Sequence, residues 1–390
     1  VEQTEGAVLR RGIKALVLID AFRMGGAETL LAPMIVASRN TDLHMDVASV
    51  SPAEWNSEKT MAILADAGIT TRSLGIRRLL DPVALPRLVR TIRQGGYDIV
   101  HAHLEMAMTL AVPAAAIARR PAVCTFHHVA YPVEGREAGR MRLAVEAATR
   151  SRRALFVSEA SRRSFAEVYR PGRMPGNWEV MHNGIDVSNY APGQADPRIR
   201  AELTGNRGDV PLVVLPAAFR ELKAIPVAIA AWPAVRQRHP RAVLALAGGG
   251  EQEPELRRLV AELGLEDAVV FAGVRTDMPE IYRAADVVLL PSTHENLPTV
   301  LIEAGATERP VAATRVGGIP DIVIDGETGV LFEPGSPEAL AAAVGRLLDD
   351  PELRRRMGAA AGERARREFS ADAWVDRLRA TYLQAMGEGR

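Results

Sequence analysis

Short runs of aliphatic and β-branched residues recur along the chain. Each is followed by a longer stretch in which apolar positions return every three or four residues. The first kind predicts strands and the second predicts crossover helices, and their alternation is the pattern of parallel sheets. In the first half the strands are predicted at 14–19, 45–49, 98–101, 122–125, 154–157 and 178–181. In the second half they are predicted at 212–216, 242–247, 268–271, 287–291 and 311–314. Helices are predicted at 28–38, 85–94, 161–169, 227–238, 254–263, 278–284, 299–306 and 337–348. The pattern implies two doubly wound α/β domains in tandem, with residues 189–197 (NYAPGQADP) as a hinge between them. A last amphipathic helix, 371–386, comes after the strands are used up and is expected to cross back onto the first domain. Open sheets of this kind bind ligands at the carboxyl ends of their strands, so a shared cleft is the expected site.

Composition narrows the class. The chain has 390 residues, 47% of them apolar and 25% charged, with 48 basic against 48 acidic side chains. That is a globular chain of about two domains rather than a disordered one. A single cysteine, Cys124, excludes a disulfide scaffold and a multi-cysteine zinc site. No apolar run approaches the ~18 residues of a membrane span, and the one at 15–19 is cut short by Asp20, so a cytoplasmic location is expected. Zero net charge hides an asymmetry, because residues 1–187 carry 24 basic against 19 acidic side chains. Ten arginines and five glutamates between 134 and 173 account for that excess. Such a stretch is a solvated helix face or a peripheral contact with the inner face of a membrane. With 45 arginines against three lysines spread over the chain, and no aromatics interleaved with the basic run, nucleic acid is not an expected partner.

The residues that could carry chemistry gather at predicted strand ends. In VVLLPSTHENLPTVLIEAGA, 287–306, a buried strand leads through a polar turn into a helix. Asn296, Leu297 and Thr299, flanking Pro298, would offer backbone N–H groups at a positive helix end, an anion site. Glu295 in the turn suits sugar hydroxyls, and Glu303 lies one to two turns down the helix, on a different face. A second turn, ATRVGGIPD at 313–321, sets Gly317 and Gly318 before Pro320, and DAFRMGGAE at 20–28 sets Gly25 and Gly26 before a helix. Both allow close backbone approach, and neither is a dinucleotide fingerprint. Lys223, in the loop after strand 212–216, is a compact cation suited to diphosphate oxygens, with Arg220 three residues earlier. His127 in TFHHV falls at the cleft edge, and His101 and His103 end another strand of the same sheet. These histidines are expected to be hydrogen-bonded rather than metal ligands, since no HExxH or cysteine partner exists.

The motifs GGAE (25–28), DIVHAH (98–103), TFH (125–127), HNGID (182–186), LAGGG (246–250), VGGIPD (316–321) and the pair Glu295 and Glu303 occur in one order over nearly the whole chain. With these the sequence resembles the retaining glycosyltransferases of family 4. The resemblance implies the GT-B fold of two facing Rossmann-like domains, 1–188 for the acceptor and 189–368 for the donor, with 369–390 returning to the first. It implies transfer of a hexosyl group from a nucleotide diphosphate sugar to an acceptor hydroxyl, with retention and without cofactor or metal. A uridine diphosphate hexose is the preferred donor and guanosine diphosphate mannose the alternative, with a glycan, lipid or small-molecule acceptor.

Under that resemblance Lys223 binds the leaving diphosphate, and Asn296, Leu297, Pro298 and Thr299 mark the helix start that receives phosphate or sugar. Glu295 holds donor-sugar hydroxyls, Glu303 the ribose, and His127 the sugar near the reacting carbon. Gly25 and Gly26 admit the diphosphate, and Arg275 lines the base pocket. The chain departs from the family pattern where Ala217-Ala218 replace Gly-Arg, where Ala224 replaces the glycine after the lysine, and where Asp321 replaces glutamate. Arg220 is the available substitute for the missing arginine. Two other readings are a sugar-nucleotide epimerase or hydrolase on the same scaffold, and a non-catalytic sugar-nucleotide-binding protein.

Overall fold

A computed structural model describes residues 12–387. Its first sheet contains β1 (Ile13–Ile19), β2 (Leu43–Ser49), β3 (Thr71–Ser73), β4 (Ile99–His103), β5 (Ala122–Phe126), β6 (Arg153–Phe156) and β7 (Trp178–Val180). The second contains β8 (Leu212–Pro216), β9 (Val243–Ala247), β10 (Val269–Gly273), β11 (Val287–Leu290), β12 (Val311–Thr314) and β13 (Gly329–Phe332). Strand order is β3-β2-β1-β4-β5-β6-β7 in one and β10-β9-β8-β11-β12-β13 in the other, and every pairing is parallel. Both sheets are Rossmann-like. The order reverses between β1 and β4, and again between β8 and β11, which is where the loops leaving the strand ends diverge and make room for a ligand.

Covering both sheet faces with helices explains why the central strands read as unbroken apolar runs. All five residues of β5, of β8 and of β9 are buried. The chain divides into two compact units. The first comprises the described residues up to Val157, Arg162–Met181 and those from Trp374 on; the second comprises Ser158–Ser161 and His182–Ala373. The 189–197 segment therefore falls inside the second unit, where it forms the end of a 3-10 turn at Val187–Tyr190 and leads into the helix Pro197–Leu203. Asp196 caps that helix by accepting from Arg198 N, and Pro197 occupies its first position.

The helix Ala371–Met386 runs onto the first unit. It is fastened there by Arg379, paired with Asp42, and by Tyr382, whose hydroxyl lies 2.8 Å from His101 Nδ1. Two strands exceed the prediction. Thr71–Ser73 is too short and polar to show a pattern, and Gly329–Phe332 opens on a glycine. The predicted helix 28–38 is broken at Leu30 into Gly26–Thr29 and Leu31–Ser38. Glu105–Ala118 is a helix that periodicity does not announce, because it is apolar on nearly all sides and carries Pro113 inside. Among the described residues no helix is long and apolar enough to cross a membrane.

Candidate active site

In the second unit the site is built from three loops at the carboxyl ends of β8, β11 and β12. Lys223 ends a 3-10 turn, Glu221–Lys223, and is held there because Ala224 turns the chain with φ +48°. Thr293 N donates to Leu222 O at 2.9 Å, tying this turn to the loop after β11. Lys223 Nζ then reaches Glu295 Oε1 at 2.6 Å, and the same oxygen accepts from Ser292 Oγ at 2.7 Å. Thr314, the last residue of β12, fixes Ser292 in turn by donating to its carbonyl at 2.6 Å. A cation and a carboxylate from separate loops are thus locked together at the switch point.

Beside them the helix Thr299–Ala306 begins just after Pro298, one residue later than a first-turn proline. Among the described residues, the backbone N–H groups of Asn296, Leu297 and Thr299 have no protein acceptor. Three unpaired donors at a helix N-terminus next to an ammonium form an electropositive rim suited to phosphate oxygens. Asn296 is oriented by Ser158, whose hydroxyl donates to its Oδ1 at 2.7 Å, and its buried Nδ2 has no partner.

Gly317 and Gly318 show why this turn tolerates no side chain. Gly317 sits at φ +53°, and a Cβ there would stand 1.7 Å from Glu295 O. A Cβ on Gly318 would stand 1.8 Å from Asn296 O and 2.7 Å from the Ser158 Cβ. The glycines let the β12 loop lie directly against the backbone that carries Glu295 and Asn296. Asp321 comes next and accepts from Glu159 N at 2.7 Å, with His182 Nε2 at 3.3 Å.

Glu303 is separate from Glu295, as the helical spacing predicts. Its Oε2 accepts from Tyr282 Oη at 2.8 Å, and burial raises its pKa above the ordinary carboxylate range, opposed by the Tyr282 and Thr299 hydroxyls. Arg220 is exposed and makes no ion pair among the described residues, so it is available beside Lys223. Arg275 makes a bidentate bond to Asp277 and another bond to Glu202.

In the first unit the histidines form a ladder. His101 bonds Tyr382 through Nδ1 and Thr125 Oγ1 through Nε2, at 2.8 and 2.7 Å. Its ring lies 4.2 Å from that of His103, whose Nδ1 stands 2.8 Å from His127 Nε2. Burial pushes His101 down to about 3 and holds His103 and His127 well below the usual histidine range, so all three are neutral at physiological pH. Asp20, at the end of β1, accepts from Met106 N and Ala107 N and so caps the helix that starts behind His103. Burial raises Asp20 to about 6, because it outweighs those two bonds.

Gly25 is extended, and a Cβ on it would strike the Glu28 carboxylate at 2.5 Å. A Cβ on Gly26 would meet no atom within 4 Å beyond its chain neighbours and its own helix backbone, so the protein itself does not demand glycine there.

Two family descriptions match, one falling mostly on each unit. "Glycosyltransferase Family 4" matches residues 24–189 and "Glycosyl transferases group 1" matches residues 199–364. A D-inositol 3-phosphate glycosyltransferase of Acidothermus cellulolyticus is 32% identical over 321 residues, 76% of this chain and 69% of that protein. The chain belongs to glycosyltransferase family 4.

Another relative in this family, a GDP-mannose-dependent alpha-(1-6)-phosphatidylinositol monomannoside mannosyltransferase of Mycolicibacterium smegmatis, is 34% identical over 60% of this chain and 62% of its own. Matches to several curated relatives span only about half of those proteins. Among solved structures, Anabaena Alr3699/HepE in complex with UDP-glucose is 26% identical, with a TM-score of 0.76 over 95% of this chain and 100% of that one.

Within this GT-B fold Lys223, Glu295, Asn296, Leu297, Pro298 and Thr299 come together in the second unit, while Glu303 lies further along the helix Thr299–Ala306 and bonds Tyr282. Sequence reasoning missed Ser292, Ser158 and Tyr282, which orient Glu295, Asn296 and Glu303. No motif signals a serine or tyrosine whose whole role is one hydrogen bond. For His103 a signal existed, since VHAH places two histidines two residues apart, on one side of the same strand.

Proposed function

We propose that this glycosyltransferase moves a hexosyl group from a nucleoside diphosphate hexose to an acceptor hydroxyl, with retention at the anomeric carbon. The observation that carries the reading is the pairing of Lys223 with Glu295 beside three unpaired N–H groups at the start of the helix Thr299–Ala306. Positive groups there would take the diphosphate as charge develops on it, and the adjacent carboxylate would accept hydrogen bonds from the sugar. Glu303, held by the hydroxyls of Tyr282 and Thr299, is the carboxylate assigned to the ribose.

On this reading the acceptor hydroxyl approaches on the face the diphosphate leaves. A leaving-group oxygen takes its proton, so the protein contributes charge stabilisation and orientation rather than a base. His127 is the residue of the first unit assigned to the sugar. Uridine diphosphate hexoses are the first donors to try and guanosine diphosphate mannose the second, since the mycobacterial relative is named for the latter. Inositol phosphates, named in the relatives, are the first acceptors to try.

A thermal-shift screen of nucleotides and nucleotide sugars tests the donor half. A ligand present at a hundred times its Kd stabilises by about 2.7 kcal/mol if it binds only the folded state. Nucleotide release that requires an acceptor, with an α-linked product from an α-linked donor, supports retaining transfer. Release without any acceptor product supports a hydrolase, and binding without release a sensor.

A further inference from the structure

The pair of buried His103 and half-buried His127 is the feature that the diphosphate site does not account for. His103 is 1% exposed, its Nδ1 is 2.8 Å from His127 Nε2, and its own Nε2 is buried without a partner. The rings stack at 5.1 Å, and on its other side His103 meets His101 at 4.2 Å, which is itself pinned at both nitrogens. Neither ring of the pair can rotate without giving up that bond.

The backbone is equally committed. Leu104, directly after His103, has φ +69° and ψ +169°, a conformation that side-chain-bearing residues avoid. It is held on one side by β4 and on the other by the Asp20 carboxylate, which accepts from Met106 N and Ala107 N at 3.2 and 2.7 Å. Such strain concentrates where a side chain must be aimed, and the side chain aimed here is His103.

We propose that His103 is a positioning residue for glycosyl transfer: it occupies Nε2 of His127, locks the tautomer of that ring and leaves Nδ1 as the one nitrogen His127 presents to a bound sugar. Among the described residues no protein group bonds that Nδ1. Because burial keeps both rings neutral, each carries one proton, and their shared bond needs one proton only. The two rings are therefore obliged to hold the same tautomer, both protonated at Nδ1 or both at Nε2. Fixing a ring's free nitrogen through a bond to its other nitrogen is how proteins set what a histidine can donate or accept. The inference rests on the reading of His127 as a sugar-contacting residue.

The test pairs spectroscopy with kinetics on the full chain. Long-range ¹H–¹⁵N correlation spectra of the wild type are expected to show a single tautomer for His127 between pH 6 and 8, and the same one for His103. In His103→Phe the His127 ring is expected to populate both tautomers. With the donor and acceptor found active, His103→Phe is expected to lower kcat by about 100-fold, the scale of a misplaced contact, with little change in donor KM. His103→Asn, whose amide can stand where Nδ1 stood, is expected to recover most of that loss; a purely space-filling role would favour Phe over Asn instead. Opposite tautomers in the two rings, a mixture in the wild type, or an unchanged kcat in His103→Phe overturns the proposal. If the wild type transfers no sugar at all, the functional reading and this inference fall together. A wild type that is active while Lys223→Ala is impaired and His103→Phe is not overturns this inference alone.

Discussion

Lys223 Nζ lies 2.6 Å from Glu295 Oε1, so the cation and the carboxylate assigned to phosphate and sugar neutralise each other within one site. The two come from loops after β8 and β11, 72 residues apart in sequence, and both are largely shielded, with 26% and 10% of their side-chain surface exposed. Partly buried pairs of this kind are asymmetric, because removing one partner strands the other's charge.

Lys223→Ala is therefore expected to do two things. Transfer should fall about 10²- to 10³-fold, as when one preorganised donor to a developing anion is lost. Folding stability should also drop, since Glu295 keeps only the Ser292 hydroxyl. Glu295→Gln keeps that hydroxyl bond and the shape but leaves the Lys223 charge uncompensated, so its melting temperature should also fall, by less than in Lys223→Ala because Lys223 is the more exposed partner, while donor KM rises. Steady-state nucleotide release beside thermal melts separates the effects, and near-normal turnover in Lys223→Ala would rule out its assignment to the diphosphate.

Two glycine motifs looked alike in the sequence, and the structure predicts opposite responses. Gly318→Ala drives a Cβ to within 1.8 Å of the Asn296 carbonyl, a backbone atom with nowhere to go. Forced overpacking of this kind typically costs about 1–3 kcal/mol, and here it also shifts the loop that carries Glu295 and Asn296. In Gly26→Ala the added Cβ meets nothing within 4 Å beyond its chain neighbours and its own helix backbone, so stability should stay within about 0.5 kcal/mol. If a diphosphate or acceptor lies against Gly26, activity falls in that variant while the melting temperature does not. Parallel melts and rates on the two variants decide it, and a destabilised Gly26→Ala contradicts the packing described for it.

Those glycines mark the limit of what the sequence discloses. Apolar runs such as those of β8 and β11 betray themselves because a strand covered on both faces must be apolar throughout, and 299–306 betrays itself through Pro298 and the helical spacing of its own apolar residues. A Gly-Gly turn reports only that the backbone needs room. Whether the room is for ligand, as the surroundings of Gly26 permit, or for another loop, as at Gly318, depends on tertiary neighbours more than twenty residues away. Arg275 is instructive in the same way, since a lone arginine in a loop says nothing of the two carboxylates, Asp277 and Glu202, that hold it. His103 lay between these cases: its place at a strand end was legible, its bond to His127 was not.

Three neutral histidines, His101 and His103 buried and His127 half-buried, give the fold an acid-sensitive element. The folded values of His101, His103 and His127 lie far below the 6.5 of an exposed histidine, with His101 at about 3. Above about pH 6.5 both folded and unfolded states are neutral at these positions, and their contribution is fully present. As pH falls through 6.5 the unfolded chain binds protons that the folded one refuses, so stability is lost at up to about 1.4 kcal/mol per pH unit for each ring. Asp20 acts with the opposite sign: raised from 3.8 to about 6, it favours the folded state at low pH and loses that contribution as pH rises from about 4 to 6. Three rings outweigh one carboxyl, so the urea midpoint should hold between pH 8 and 6.5 and fall below that. In His101→Asn the acid slope should be shallower by about one ring's share; an unchanged slope would mean that His101 is not the neutral, buried base described.

Ala224 offers a prediction in the stabilising direction. It follows Lys223 with φ +48° and ψ +37°, the left-handed conformation, and it opens the helix Ile225–Arg238. An alanine there suffers a close approach of its Cβ to the backbone that costs about 1–2 kcal/mol, which glycine avoids. Glycine in turn loses about 0.4–1 kcal/mol more on folding through the entropy of the unfolded chain. Ala224 is also 7% exposed, so losing its methyl removes a small amount of buried apolar surface. These terms leave a modest net gain, and Ala224→Gly should raise stability by several tenths of a kcal/mol, to about 1 at most, seen as a higher urea midpoint with an unchanged slope. Its effect on activity carries separate information. If the alanine serves only to hold Lys223 rigidly against Glu295, Ala224→Gly should transfer sugar somewhat more slowly despite folding more stably. A variant both less stable and less active would mean that the methyl packs better than its strained backbone suggests.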